Sequence, residues 1–471
     1  MSARWSRLGT LGVVTVMAIS HPLPAQQQSS TTFHQLGHAI LRELIETNTT
    51  ASKGNTTIAA QQLATRFHDA GFPDADVQVV GPTPKNRNIV VRYRGSGAQK
   101  PVLLLAHLDV VEAKRDDWTY DPFQLTEHDG YFYGRGTQDV KGGAAMLVTT
   151  LLRLKQESWT PNRDLILTLT AGEEGGMPYN GVQWLIANRR DLINAEYAIN
   201  VDAGGGELEN GKHTLFDVQA AEKVYHSVTL TARNPGGHSS LPRKDNAIYA
   251  LAAALEKLSR YEFPVQVNDV VKAYFTKAAA SASPEIAGDM KSVASGARDP
   301  AAIARLSKIP LYNALLRTTC VATMLEGGHA ANALPQTARA TVNCRMLPGV
   351  DPAAVEKTIA QIVNDTSIHV APADTAVQSP ASPLRPDLFE AINASVKAIW
   401  GPVPVVPTME TGATDGLFLR NAGLPVYGFS GLFIATNDVR AHGKDERILI
   451  SAYDDGLDFT YDVLKRVTAK R

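Results

Sequence analysis

Histidines and acids of metal-binding type recur in short motifs along this chain, with no cysteine among them. They are His107-Leu108-Asp109, Asp139 within Tyr133-Gly134-Arg135-Gly136-Thr137-Gln138-Asp139, Gly172-Glu173-Glu174, Asp202, and Ala441-His442-Gly443. Imidazole plus carboxylate suits zinc, and also manganese or cobalt. For the set His107, Asp139, Glu174, Asp202 and His442, charge counting makes two ions sensible. Three carboxylates oppose two divalent cations, and one hydroxide brings the cluster to neutrality. Five residues fill two sites only if one carboxylate bridges. Each ion then has three protein ligands and an open position, as catalytic zinc requires.

Taken singly these motifs are weak. A lone His-x-Asp is usually structural, Glu173-Glu174 could be a solvated helix start, Asp202 before Gly204-Gly205-Gly206 could open a turn, and His442 could be a surface loop histidine. What joins them is position. The apolar runs Val102 to Ala106, Leu165 to Leu169 and Ala198 to Val201 read as strands buried on both faces. They lead directly into His107, Glu173-Glu174 and Asp202. Ligands of open α/β sheets bind at the carboxyl ends of the strands, so three strands deliver these residues to one edge.

The elements around them fix the fold class. Phe33 to Thr47 and Thr57 to Asp69 (stopping at Gly71) read as helices ahead of these strands, and Ala144 to Lys155 as a helix between the first two. The pattern predicts an α/β fold, a mostly parallel sheet with helices on both faces. After about residue 220 it changes. Lys223 to Arg233 alternates as a strand, Asn246 to Arg260 is an amphipathic helix, two strands follow around Cys320 and Ala340, and Asp351 caps a helix from Pro352 to Val363. Ser367 to Ala371 reads as a last strand. This is a smaller α+β insertion, and its alanine-rich, helical-looking stretch 264–315 has no evident place. A helix to Trp400 and a strand from Leu424 to Phe429 restore the α/β character. The expected domains are 26–220 and 379–471 for the catalytic unit and 221–378 for the insertion.

Composition excludes some functions. Hydrophobic residues make up 44% and charged residues 20%, and 46 Lys plus Arg balance 47 Asp plus Glu. Such a balance gives no field to steer nucleic acid. At the start, Arg4 and Arg7, an apolar run from Leu8 to Ile19, and Ala25 before Gln26-Gln27-Gln28 describe a secretory signal peptide over 1–25. A secreted or periplasmic location is expected. Export makes a disulfide possible between Cys320 and Cys344, on strands that could be neighbours; buried free thiols are the alternative.

In this order the motifs resemble the dinuclear-zinc metallopeptidase family that includes glutamate carboxypeptidase, succinyl-diaminopimelate desuccinylase, acetylornithine deacetylase and aminoacylase. The resemblance implies that His107, Asp139 and Asp202 hold one ion, and that Asp139, Glu174 and His442 hold the other. It makes Asp109 the residue that orients His107 and Glu173 the general base. The insertion becomes a lid or dimerisation domain. Its Pro235-Gly236-Gly237-His238-Ser239-Ser240 loop implies an oxyanion-holding role for His238, in dimers from the partner subunit. Arg345 matches a carboxylate-binding arginine, and Asn332 would line the same pocket. Gly412 and Thr414 lie in Thr411-Gly412-Ala413-Thr414-Asp415, similar to the family's Gly-rich substrate loop, with Ala413 where many relatives have glycine. The implied activity is removal of a C-terminal amino acid from peptides or N-acyl amino acids. An aminopeptidase of the related dinuclear class and a non-catalytic binding protein on the same scaffold are the alternatives.

Overall fold

The computed structural model describes residues 25–297 and 299–469. The signal-peptide reading of 1–25 therefore falls, but for residue 25, outside the described residues. Among the described residues no helix is long and apolar enough to cross a membrane.

A ten-stranded sheet forms the centre of the larger unit. Strand Val102–His107 lies between Leu165–Thr170 and Tyr197–Asn200, parallel to both, and Val426–Gly428 continues the parallel run beyond Tyr197–Asn200. Every residue of Val102–His107 and Leu165–Thr170 is buried, which explains their unbroken apolar character. Their side chains divide by parity. Val102, Leu104 and Ala106 join the main core under helices Ala25–Glu46, Lys141–Gln156 and Ile450–Val467. Leu103 and Leu105 pack on the opposite face with Val182, Leu185 and Leu419, which belong to helices Gly181–Asn188 and Gly416–Asn421. Helices thus cover both faces. Antiparallel pairs widen the sheet: Val77–Val80 with Asn88–Tyr93 at one edge, Gly205–Glu209 with Lys212–Glu222 towards the other. These four strands, several of which carry charged or polar residues, do not stand out as continuous apolar runs in the sequence.

The smaller unit is a four-stranded antiparallel sheet in the order Thr319–Gly327, Thr337–Met346, Val224–Arg233, Ile368–Pro372. Helices Ala247–Ser259 and Pro352–Val363 pack on it around Val228, Leu251, Val342 and Ile359. Asp351 caps the second helix, accepting from the Ala353 N–H at 3.0 Å. Cys320 and Cys344 stand directly opposite in register and form a disulfide. The stretch 264–315 holds most of four short helices, Asp269–Ala278, Pro284–Ala294, Pro300–Leu306 and Pro310–Leu316. Val271, Phe275, Met290 and Leu306 bury themselves in the main core, so these helices pack on the large sheet rather than on the small one. Lys223 fixes the junction, its buried ammonium donating to the carbonyls of Ala314 (2.9 Å) and Arg317 (2.8 Å).

Candidate metal centre

The strand ends converge as the apolar runs predict. His107 is the last residue of its strand, 1% exposed. Its Nδ1 donates to the backbone carbonyl of Asp109 at 2.9 Å, which leaves Nε2 as the lone-pair nitrogen facing the cluster. The nearest oxygens to that nitrogen are Asp139 Oδ1 at 3.1 Å, Asp202 Oδ1 at 3.5 Å and Glu173 Oε2 at 3.9 Å. His442 Nε2 lies 2.9 Å from Asp139 Oδ2 and 2.9 Å from Glu174 Oε2. The two trios expected from the sequence, His107–Asp139–Asp202 and Asp139–Glu174–His442, each bring their ligand atoms within 4.8 Å of one another. Asp139 belongs to both, one oxygen on each side.

Asp109 acts differently from a simple partner of the imidazole. Its carboxylate is 3.9 Å from His107 Nδ1 and accepts instead from the N–H groups of Gly172 (2.8 Å), Glu173 (3.4 Å) and Glu174 (3.1 Å). It orients His107 through its backbone and the two glutamates through its side chain. The turn itself needs Gly172, at φ +87°, because a Cβ there would meet the Tyr179 carbonyl oxygen at 2.1 Å. Likewise a Cβ on Gly142 would sit 2.3 Å from the Thr137 carbonyl oxygen, so the helix after Asp139 can start only with glycine there.

Asp139 is held by a residue that belongs to none of the motifs above. Glu446 is fully buried and accepts from the N–H groups of Gly136 (3.1 Å), Gln138 (2.7 Å) and Asp139 (3.1 Å) and from Arg135 Nη1 (2.6 Å). Arg135, 3% exposed, also donates to the carbonyl of Gly443 at 3.0 Å. One buried ion pair therefore ties the Asp139 loop to the His442 loop. The only sequence signals were a charged residue between two glycines and an acid four residues after His442.

No lysine or arginine side chain lies within ion-pair distance of Asp139, Glu173, Glu174 or Asp202 among the described residues; their partners are the two histidines. The consequence is a set of displaced pKa values. Burial, then the charge of Asp139, lifts Glu174 to about 7. Burial lifts Asp202 to about 6 and, with the charge of Asp202, holds Glu173 well above the usual carboxylate range. The hydrogen bond to Asp139 raises His442 to about 9. Burial opposes protonation of His107, yet Asp202 and Asp139 keep its pKa well above the ordinary imidazole value. Without cations the cluster holds protons, and cation binding must displace them.

The remaining expected residues lie elsewhere. His238 is exposed on a two-residue strand paired with Ala333–Leu334, and its Nδ1 lies 2.7 Å from Ser240 Oγ. Asn332 is beside it, its carbonyl accepting from the Ser239 N–H at 3.0 Å. Neither contacts the cluster within the subunit among the described residues. Arg345 is half-buried on the small sheet with its guanidinium 4.8 Å from the Tyr225 ring centroid, and no carboxylate lies within 4 Å among the described residues. Gly412 is half-buried; Thr414 is buried and turned inward, its N–H and Oγ1 bonded to Glu222 at 2.9 and 3.1 Å. In that loop Asp415 is close enough to His107 and Glu173 for their charges to interact. Buried against Thr170 and Asn180, it is lifted to about 7 by burial.

A match to Peptidase family M20/M25/M40 spans residues 103–466. The chain belongs to this family. It is 28% identical over 437 residues to the N-fatty-acyl-amino acid synthase/hydrolase PM20D1 of Homo sapiens, covering 89% of this chain and 85% of that protein. Its fold is similar to that of the M20 family metallo-carboxypeptidase Sso-CP2 of Sulfolobus solfataricus, with a TM-score of 0.65 at 19% identity over 91% of this chain and 98% of that one. The Bacillus subtilis YXEP protein, a dinuclear metal binding peptidase, matches with a TM-score of 0.57 at 12% identity, over 93% and 99%. As a member of the M20 family the chain is a metallopeptidase-type hydrolase.

Proposed function

We propose that this chain is a two-metal amidohydrolase that cleaves an amide next to a free carboxylate, in peptides or N-acyl amino acids. The observation that carries the reading is Asp139, which presents one oxygen to His107 (3.1 Å) and the other to His442 (2.9 Å), as a bridging ligand must. The donor set suits divalent cations: three carboxylates and two imidazoles, no lysine or arginine to neutralise them among the described residues, and a buried Glu174 Oε1 without a hydrogen-bond partner there. His107, Asp139 and Asp202 would hold one ion and Asp139, Glu174 and His442 the other. Zinc fits these donors, as do manganese and cobalt. Bound there, two such ions acidify water and polarise the scissile carbonyl.

Glu173 takes the proton of the attacking water and returns it to the leaving amine. Arg345, a cation without a carboxylate partner, grips the substrate's free carboxylate through its planar fork. Arg345→Ala is expected to raise KM for free acids by about 10- to 100-fold, the value of a hydrogen bond to a charged group. The corresponding amides should change little, and equal effects on both would remove Arg345 from substrate binding. The reading as a whole is tested with dipeptides, N-acyl amino acids and their amides, assayed after chelation and again after zinc, manganese or cobalt is restored. Hydrolysis of free acids that disappears with the metal and returns with it is the expected result.

His238 and Asn332 serve this site from a second subunit in our reading. The outer strand Thr319–Gly327 of the small sheet supports a homodimer, because it is an unpaired edge with Val321, Met324 and Leu325 exposed. A monomer in sedimentation at assay concentrations would speak against it. The Cys320–Cys344 bond and the basic-apolar leader support export, to the outside or the periplasm, with cleavage after Ala25. The mature protein should then begin at Gln26.

A further inference from the structure

The surroundings of Arg345 follow from the register of the small sheet. On Thr337–Met346 the alternate residues Ala338, Ala340, Val342, Cys344 and Met346 are buried with the helices Ala247–Ser259 and Pro352–Val363. Arg345 therefore shares with Thr341 and Asn343 the face turned away from those helices. Directly opposite it stand Thr319 on one neighbouring strand and Tyr225 on the other. Residues so paired present their side chains on one face. The Tyr225 ring, 46% exposed, lies with its centroid 4.8 Å from the guanidinium carbon of Arg345. The ring is itself held. Ser227, two residues on and opposite Asn343, donates its hydroxyl to the Tyr225 oxygen at 3.0 Å, and Asn343 Nδ2 donates to Ser227 Oγ at 3.2 Å.

We propose that Tyr225 is a positioning residue for substrate binding, its ring holding the Arg345 guanidinium ready for the substrate's free carboxylate. This rests on the reading above in which Arg345 grips that carboxylate. A cation within about 6 Å of an aromatic centroid is attracted by the ring's quadrupole. A carboxylate in the ring's place would fix Arg345 as well, but it would occupy the N–H fork that the substrate needs. The ring orients the cation and leaves its charge uncompensated. An unsupported arginine would instead lose its rotamer freedom at the moment of binding, at a cost in affinity. The chain from Asn343 through Ser227 to the tyrosine hydroxyl keeps the ring from turning away.

The test uses leucine carrying an acetyl, octanoyl or alanyl group on its nitrogen, each as free acid and as carboxamide, with metal-loaded protein. Tyr225→Leu, which keeps apolar bulk without a ring, should raise KM for the free acids by about 3- to 10-fold. Its kcat, and its kinetics on the amides, should change by less than about twofold. Tyr225→Phe, which retains the ring, should stay within about twofold of wild type on the acids. Amide turnover reports that the variants fold. In an Arg345→Ala background Tyr225→Leu should add nothing, because the ring acts through the guanidinium. Unchanged KM for the acids in Tyr225→Leu, equal loss on acids and amides, or a full further loss in the Arg345→Ala background overturns the inference. A loss in Tyr225→Phe as large as in Tyr225→Leu assigns the effect to the hydroxyl and overturns it too. In each of these cases an Arg345→Ala effect confined to the acids leaves the carboxylate reading intact. Arg345→Ala acting alike on acids and amides, or a wild type that hydrolyses none of the substrates, overturns that reading and the inference together.

Discussion

Glu173→Ala is expected to lower kcat by about a thousandfold while the protein keeps its full complement of metal. The side chain stands at the cluster without belonging to either trio, its nearest approach being 3.9 Å from His107 Nε2. Its neighbour Glu174 points instead to His442 at 2.9 Å. Two adjacent acids on one turn, both anchored through their N–H groups by Asp109, can therefore divide the work of binding and proton transfer. Burial, followed by the charge of Asp202, already lifts Glu173 well above the usual carboxylate range, the direction that makes a carboxylate a better proton acceptor. Steady-state kinetics beside elemental analysis of the same preparation decide the matter. Near-wild-type turnover would remove Glu173 from the chemistry; metal lost in step with activity would make it a ligand.

The second large effect falls on stability. Arg135→Met should destabilise the protein by about 3–5 kcal/mol, because it strands the fully buried Glu446 without its cation. Metal affinity should fall with it, since Glu446 also holds the N–H groups of Gly136, Gln138 and Asp139 and so aims the bridging carboxylate. Adding Glu446→Gln to Arg135→Met should recover part of the stability, as the uncompensated charge is then gone, yet metal affinity should stay low. Denaturant unfolding and metal titration of the two variants measure these quantities separately. If the single variant unfolds like the wild type, the pair is not what joins the two loops.

Much of the centre was legible in the sequence because strands buried on both faces leave a continuous apolar run, and such a run ends visibly at His107, at Gly172-Glu173 and at Asp202. The parallel core could be read for the same reason. Asp139 and His442 were legible only as members of the ordered set, each being an ordinary loop residue by itself. Glu446 and Arg135 carry comparable structural weight, but a buried ion pair between loops more than three hundred residues apart leaves no local pattern. The helices of 269–316 were readable as helices, whereas the sheet they cover is decided by tertiary packing of Val271, Phe275 and Met290. Thr414 shows the limit of motif reasoning. Its loop was identifiable, but only the bonds to Glu222 reveal that its hydroxyl turns inward, and Asp415 rather than Thr414 lies towards the cluster.

Metal stoichiometry across single substitutions of the cluster tests the central claim most directly. The account predicts two divalent ions per chain in the wild type, one after Asp202→Ala or Glu174→Ala, and none held tightly after Asp139→Ala. Two ions retained in the Asp139→Ala protein, or a wild-type chain that binds none, would contradict it.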